Sequence, residues 1–272
     1  MKPTDFSHHR PSTVDGAAAL LAELPDAKVL GGGQSLLPIM NMRLASPEHL
    51  VDLTAIRDLR ACTEADDQVR YGATTTHMML EEQLVPDCTN GLLPHAASGI
   101  GYRAIRNRGT LAGSLAHADS SAEWPTVMSA LDAAVHTRSV RGTRRIPVRD
   151  LLQGFFTTTL EDDEFITSVE VARLTPETRW GLYKMARKPG EFAESLAVAL
   201  LRPKGLELWL GAARDVPIRL TNTETIAESA DLPDLLEAVG TDTGSDGHQR
   251  QLHAVSVQRA LRAAQHQEVT RV

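Results

Sequence analysis

A short apolar strand that runs directly into three glycines constrains this chain more than any other feature: Val29-Leu30-Gly31-Gly32-Gly33-Gln34-Ser35-Leu36. Glycines at a strand end let the backbone turn sharply with no Cβ in the way. Successive N–H groups can then form an anion-binding nest, and a helix starting next would add its favourable dipole. A pyrophosphate suits such a loop, and a side chain at Gly32 would block it. A plain tight turn is the competing reading of this segment taken alone. The spacing is not the dinucleotide fingerprint of a doubly wound sheet, because Leu36 stands where that pattern needs its third glycine.

A second small-residue stretch lies further on, Arg106-Asn107-Arg108-Gly109-Thr110-Leu111-Ala112-Gly113-Ser114, followed by Leu115-Ala116-His117-Ala118-Asp119. Thr110 and Ser114 offer hydroxyls to phosphate or ribitol oxygens, and the glycines allow close approach. Alone it could equally be a glycine-bearing strand turn. Two such loops in one chain are more informative than either, since a dinucleotide needs a long groove.

The 272 residues are 42% hydrophobic, ample for a large core, and 23% charged with a net charge of −7. That balance argues against nucleic acid, which calls for a basic face. No apolar run approaches a membrane span, and Met1 to Pro11 lacks the apolar stretch of a signal peptide, so a cytoplasmic protein is expected. Cys62 and Cys88 are the only cysteines, too few for the four thiolates of an iron–sulfur cluster, and are read as free thiols. Redox chemistry in this chain would therefore rest on an organic cofactor.

Periodicity and punctuation give an α+β chain. Helices are predicted over Val14 to Leu24 (capped by Thr13), Thr76 to Leu84, Asn90 to Ser98 and Ser121 to Asp132. Strands are predicted at Ala27 to Leu30, His49 to Leu53, Val69 to Ala73, Ala133 to Ser139 and Thr143 to Val148. Further strands follow at Phe165 to Ala172, Arg179 to Ala186, Ser195 to Leu201 and Leu206 to Ala213. The last part reads as helices over Thr221 to Ser229, Leu232 to Val239 and Gly247 to Ala264, with Thr241 to Gly247 a polar loop. A mixed α/β part, 1–175, would precede a sheet-and-helix part, 176–272. The acidic run Glu161-Asp162-Asp163-Glu164 reads as a solvated turn, and His8-His9 as a solvated terminus. Arg141, Arg144 and Arg145 suggest an exposed hairpin. Arg103, Arg106 and Arg108 form a basic cluster open to a surface, phosphate or partner role. His248 and His253, five apart, suit no shared metal.

The order Gly31-Gly32-Gly33-Gln34-Ser35, then Gly72-Ala73 with Thr75-Thr76-His77, then Ile105-Arg106-Asn107 with Thr110-Leu111-Ala112-Gly113-Ser114 and Ala116-His117-Ala118-Asp119, resembles the FAD-binding medium subunit of the xanthine dehydrogenase and carbon monoxide dehydrogenase family. Lys184-Met185-Ala186-Arg187-Lys188 with Glu191-Phe192-Ala193, and Gly211-Ala212-Ala213 with Pro217-Ile218-Arg219, extend the resemblance over nearly the whole chain. It implies a two-subdomain FAD-binding domain of the vanillyl-alcohol-oxidase-like (PCMH) type and a C-terminal domain. It also implies that Val29, Leu30, Gly31, Gly32, Gly33, Gln34, Ser35 and Leu36 wrap the pyrophosphate, with Thr110, Gly113 and Ser114 opposite. Glu123 would contact the adenosine end. Ile100, Ile166 and Lys184 would lie near the flavin, with Phe192 beside its ring. Ala112 departs from the family's adjacent glycines in the second loop, and His117 would be structural or on the cofactor side.

The implied function is electron transfer: FAD here receives electrons from two [2Fe–2S] clusters on a small partner subunit and delivers them to an external acceptor. A large partner with a molybdenum–pterin cofactor would hydroxylate an N-heterocycle, alkaloid, aldehyde or purine, or oxidise carbon monoxide. The assembly would be a dimer of heterotrimers. A nucleotide-holding binding module and a stand-alone flavin oxidase are the rival readings.

Overall fold

The computed structural model describes residues 2–221, 223 and 231–267. Its first unit is built from β1 (Ser7–His9), α1 (Val14–Glu23), β2 (Ala27–Leu30), α2 (Leu36–Asn41) and β3 (His49–Asp52). The three strands form a parallel sheet in the order β1-β3-β2. Thr13 caps α1 by accepting the Gly16 amide at 3.1 Å, and Ala17, Ala18 and Leu21 make its buried face. His8-His9 is solvent-facing yet ordered in a strand: it pairs with β3, His8 remains exposed, and its Nε2 meets Asp52 Oδ2 at 3.1 Å.

The second unit runs through β4 (Cys62–Glu64), β5 (Gln68–Gly72), α3 (His77–Glu81), α4 (Leu92–Ser98), α5 (Arg103–Arg106), α6 (Leu111–His117), α7 (Glu123–Ala130), β6 (Ala134–Ser139), β7 (Gly142–Pro147), α8 (Val148–Leu151), β8 (Leu152–Gly154), β9 (Thr157–Thr158) and β10 (Phe165–Ala172). Five strands pair antiparallel in the order β4-β5-β10-β6-β7, and β8 and β9 form a separate hairpin. Pro125 sits at the third position of α7, where its missing N–H costs nothing. Every residue of α7 is buried.

The third unit holds β11 (Arg179–Met185), β12 (Ser195–Arg202), β13 (Gly205–Gly211) and β14 (Ile218–Arg219), antiparallel in chain order, then α9 (Leu232–Thr243) and α10 (Gly247–His266). Both faces of this sheet are covered, which explains the unbroken apolar run Leu196 to Leu201. Val198, Leu200 and Trp209 join the core of the preceding units, while Ala197, Ala199, Leu208 and Leu210 pack on Val257, Ala260 and Leu261 of α10. The shared core fixes the third unit against α7.

Several expectations change. The expected polar loop from Thr241 is helical to Thr243, where α9 stops because Gly244 takes φ +67°. Thr243 Oγ1 donates back to Val239 O at 2.7 Å, so its polar side chain is satisfied within the helix. The acidic run is a turn with Glu161 and Asp162 exposed, as expected, but its far end is not solvated: Glu164 is buried, accepting Thr137 Oγ1 at 2.5 Å and Arg144 Nε at 2.8 Å, and Asp163 pairs with Arg141. The arginine hairpin is exposed as expected and is also ion-paired, with Arg145 held by Glu170 at 2.8 Å. His253 is buried with Nδ1 2.9 Å from Ser195 Oγ. The helix expected over Thr221 to Ser229 falls mostly outside the described residues.

Candidate functional site

The glycine loop sits where the first unit meets the second. Gly33 alone of the three glycines takes a positive φ, +76°, which turns the chain into α2. Gly32 serves differently: a Cβ built on it would stand 2.0 Å from the Arg108 carbonyl oxygen and 2.7 Å from the Gly109 Cα. The two small-residue segments therefore touch through bare backbone. Among the described residues, the amides of Gly32, Gly33, Gln34 and Ser35 donate to no protein acceptor. Ser35 makes no side-chain cap bond to α2.

The second segment is a helix start rather than a strand turn. Thr110 caps α6, its Oγ1 accepting the Gly113 amide at 3.0 Å, and a single bridge joins Thr110 to Thr76. Ala112 fits without strain because it lies in the first helical turn, buried in the core. Two neighbouring arginines are already spoken for: Arg106 grips Glu81 through Nε at 2.7 Å and Nη2 at 3.0 Å, and Arg103 pairs with Glu82.

A cleft of about 630 Å³ opens between these segments, within the ordinary size of a cofactor site. Every residue proposed from the sequence lines it: Val29 through Leu36 on one wall, Thr110, Gly113 and Ser114 facing them, and Ile100, Glu123, Ile166, Lys184 and Phe192 along its length. Ile166 reaches the cleft at a β-bulge, where the pairing of β10 with β6 shifts between Ile166 and Ser168. Phe192 stands 61% exposed at the rim.

Lys184 reaches in from β11. Its Nζ donates to Glu123 Oε1 at 2.6 Å and to the Gly99 carbonyl at 3.2 Å. Both side chains are largely buried. Burial pushes the Glu123 carboxyl above the usual range, while Lys184 pulls it back. The family resemblance places Glu123 at the adenosine end and Lys184 near the flavin. Their direct contact puts both in one stretch of the cleft, beside Ile100.

Sequence reasoning missed several lining residues: His77, Ile105, Phe156, Thr157 and Thr158. His117 stacks on Phe156 with ring centroids 4.7 Å apart, and Phe156 on Phe155 at 4.0 Å. The β8–β9 hairpin that carries the phenylalanines is too short for a periodic signal. Its Phe-Phe-Thr-Thr-Thr run was the available clue.

The cleft fits a dinucleotide on its own terms: unpaired loop amides and a backbone seam that tolerates no Cβ are what a pyrophosphate cradle requires.

Comparison with known proteins agrees. The family described as "FAD binding domain in molybdopterin dehydrogenase" matches residues 4–173. The nicotine 6-hydroxylase medium subunit of Paenarthrobacter nicotinovorans is 37% identical over 246 residues, 88% of this chain and 86% of that one. Among solved structures, carbon monoxide dehydrogenase from Hydrogenophaga pseudoflava superposes with a TM-score of 0.87 at 30% identity, covering 97% of this chain and 99% of that one. Quinoline 2-oxidoreductase from Pseudomonas putida 86 gives 0.84 at 31% identity, with 97% and 99% covered. Sequence, fold and cleft together show that this chain belongs to the family of FAD-binding medium subunits of the molybdenum hydroxylases.

Proposed function

We propose that this chain is the electron-transfer step of a heteromeric molybdenum hydroxylase. Its FAD would take electrons from [2Fe–2S] clusters of a small partner and pass them to an external acceptor, while a large partner with a molybdenum–pterin cofactor oxidises a small organic substrate. The observation that carries this reading is the cleft itself, where the loop from Val29 to Leu36, the cap of α6 and the Lys184–Glu123 pair converge. Bound FAD supplies the ability to exchange electrons singly or in pairs, which no side chain offers.

In this reading the free amides of Gly32 to Ser35 hold the pyrophosphate, and Thr110, Gly113 and Ser114 close over it. Ile100 and Ile166 give the ring an apolar bed, and Phe192 covers its outer edge. Lys184 sets a positive charge beside the ring, and Glu123 fixes it there by accepting from its Nζ. The FAD-binding domain ends near residue 175, and the C-terminal domain from 176 contributes Lys184 and Phe192. The assembly is a dimer of heterotrimers in the cytoplasm. Its substrate class is set in the large subunit: an N-heterocycle, alkaloid, aldehyde, purine or carbon monoxide.

The test is spectroscopic. The purified chain should show flavin bands near ~450 nm, bleach on reduction with dithionite and release FAD into solution on acid precipitation. Colour retained in the pellet would refute non-covalent binding, and a chain that takes up no FAD would refute the reading as a whole.

A further inference from the structure

Trp124, fully buried in α7, has an indole Nε1–H that can only donate, and its acceptor is His77 Nδ1 at 3.0 Å. An uncharged imidazole that accepts at Nδ1 must carry its proton on Nε2. Burial, reinforced by the positive charge of Arg106, holds the His77 pKa down to about 3, so the ring is uncharged at neutral pH. The tautomer is therefore dictated by a neighbour with no alternative.

His77 is 5% exposed, yet it lines the cleft. Its Nε2 meets no acceptor among the described residues, and it is not one of the side-chain atoms sealed inside the protein without a partner. The ring packs edge-on against Gly109: a Cβ there would lie 2.7 Å from Nε2, so only glycine fits beside it. Gly109 adjoins the Arg108 carbonyl that packs on Gly32, so the donor sits at the seam of the two glycine segments. The His77 amide also donates to the Gly109 carbonyl at 2.9 Å, fixing the ring's base beside that seam.

We propose that His77 is a further cofactor-binding residue, its Nε2–H donating to the diphosphate of the bound dinucleotide where the two segments meet. This rests on the cleft being the FAD site. No protein group accepts the Nε2 hydrogen, so its acceptor comes from whatever fills the cleft, and a phosphate oxygen is the charged acceptor that a dinucleotide would bring there. Trp124, fully buried behind the ring, thereby acts as a positioning residue that sets which nitrogen donates.

The full chain is stripped of flavin and titrated with FAD, following flavin fluorescence. His77→Asn keeps an oxygen for Trp124 but removes the Nε2 donor. It should weaken FAD binding roughly tenfold or more, the size expected for a hydrogen bond to a charged group. His77→Gln, whose amide reaches the Nε2 position, should recover part of the loss. Independently of those variants, the wild-type chain labelled with ¹⁵N-histidine should show the Nε2–H tautomer, and its Nε2 resonance should move on adding FAD. Equal FAD affinity of His77→Asn and wild type, an Nδ1–H tautomer, or an Nε2 resonance indifferent to bound FAD would each overturn the assignment. Failure of the wild-type chain to bind FAD would instead overturn the cofactor reading on which it rests.

Discussion

Gly32 and Arg108 meet through bare backbone: any side chain on Gly32 would start 2.0 Å from the Arg108 carbonyl oxygen. The glycine thus joins two parts of the protein as well as leaving room for a cofactor. Gly32→Ala should already destabilise the flavin-free chain by about 1–3 kcal/mol, the usual range for overpacking, and Gly32→Val more. Both should lose FAD. Thermal melts of the flavin-free proteins check this, since a pure cofactor-blocking role would leave the melting temperature untouched. Gly33→Ala is different, being strained by φ +76° at a cost of about 1–2 kcal/mol.

The Lys184–Glu123 pair predicts an asymmetry. Lys184→Met leaves a buried carboxyl with no cation, and breaking a buried pair from one side typically costs about 3–5 kcal/mol. Adding Glu123→Gln should restore a good part of that, because the uncompensated charge is gone. Urea unfolding of the flavin-free single and double variants measures the coupling. Additive losses would show that the contact at 2.6 Å contributes little.

Acid sensitivity follows from His77. The unfolded chain takes up a proton on this ring near its ordinary pKa of 6.5, whereas the folded chain resists until about 3. Its contribution to stability is thus complete above pH 6.5 and is lost as pH falls from 6.5 towards 3. The slope is at most about 1.4 kcal/mol per pH unit for one proton. Burial lowers His95, His117 and His253 in the same direction, so the wild-type slope contains their share as well. Glu170, held down to about 2 while desolvation is outweighed by Arg70, His136 and Arg145, adds a loss only below pH 4.5. Stability curves of flavin-free wild type and His77→Asn should therefore converge between pH 6.5 and 5. Parallel curves would assign the acid loss to the other groups.

The glycine loop, the capped helix α1 and the long strands β10 to β13 were legible because each follows from local chemistry: missing Cβ atoms, a capping threonine, and apolar runs of strand length, alternating in β13 and unbroken in β12. The second glycine segment was found, but not as a helix. Its cap depends on Thr110 accepting from Gly113, and small residues alone do not distinguish helix from turn. Glu164 was read as solvated, and the pairing of His8 was missed, because their partners, Arg144 and Asp52, lie 20 and 44 residues away. The roles of Glu123 and Lys184 came only from family resemblance. Their contact joins α7 to β11 across 61 residues, and no local pattern encodes it. His77 was missed as a site residue for the same reason: its meaning depends on Trp124, 47 residues on.

The chain's two thiols are occupied in ways that suit no cluster: Cys88 is buried with Sγ 3.6 Å from the Tyr71 hydroxyl, and Cys62 Sγ lies 3.6 Å from Thr75 Oγ1. Burial pushes the Cys88 thiol up, away from the thiolate a metal would need. The purified chain should therefore accept electrons at its flavin but hydroxylate no substrate offered. Co-expression with a two-cluster small subunit and a molybdenum-type large subunit should yield one complex on gel filtration, with two copies of each chain. Cofactor analysis should then find one FAD for each copy of this chain. Substrate hydroxylation by a homogeneous preparation of this chain, free of iron and molybdenum, would overturn the division of labour on which the whole reading rests.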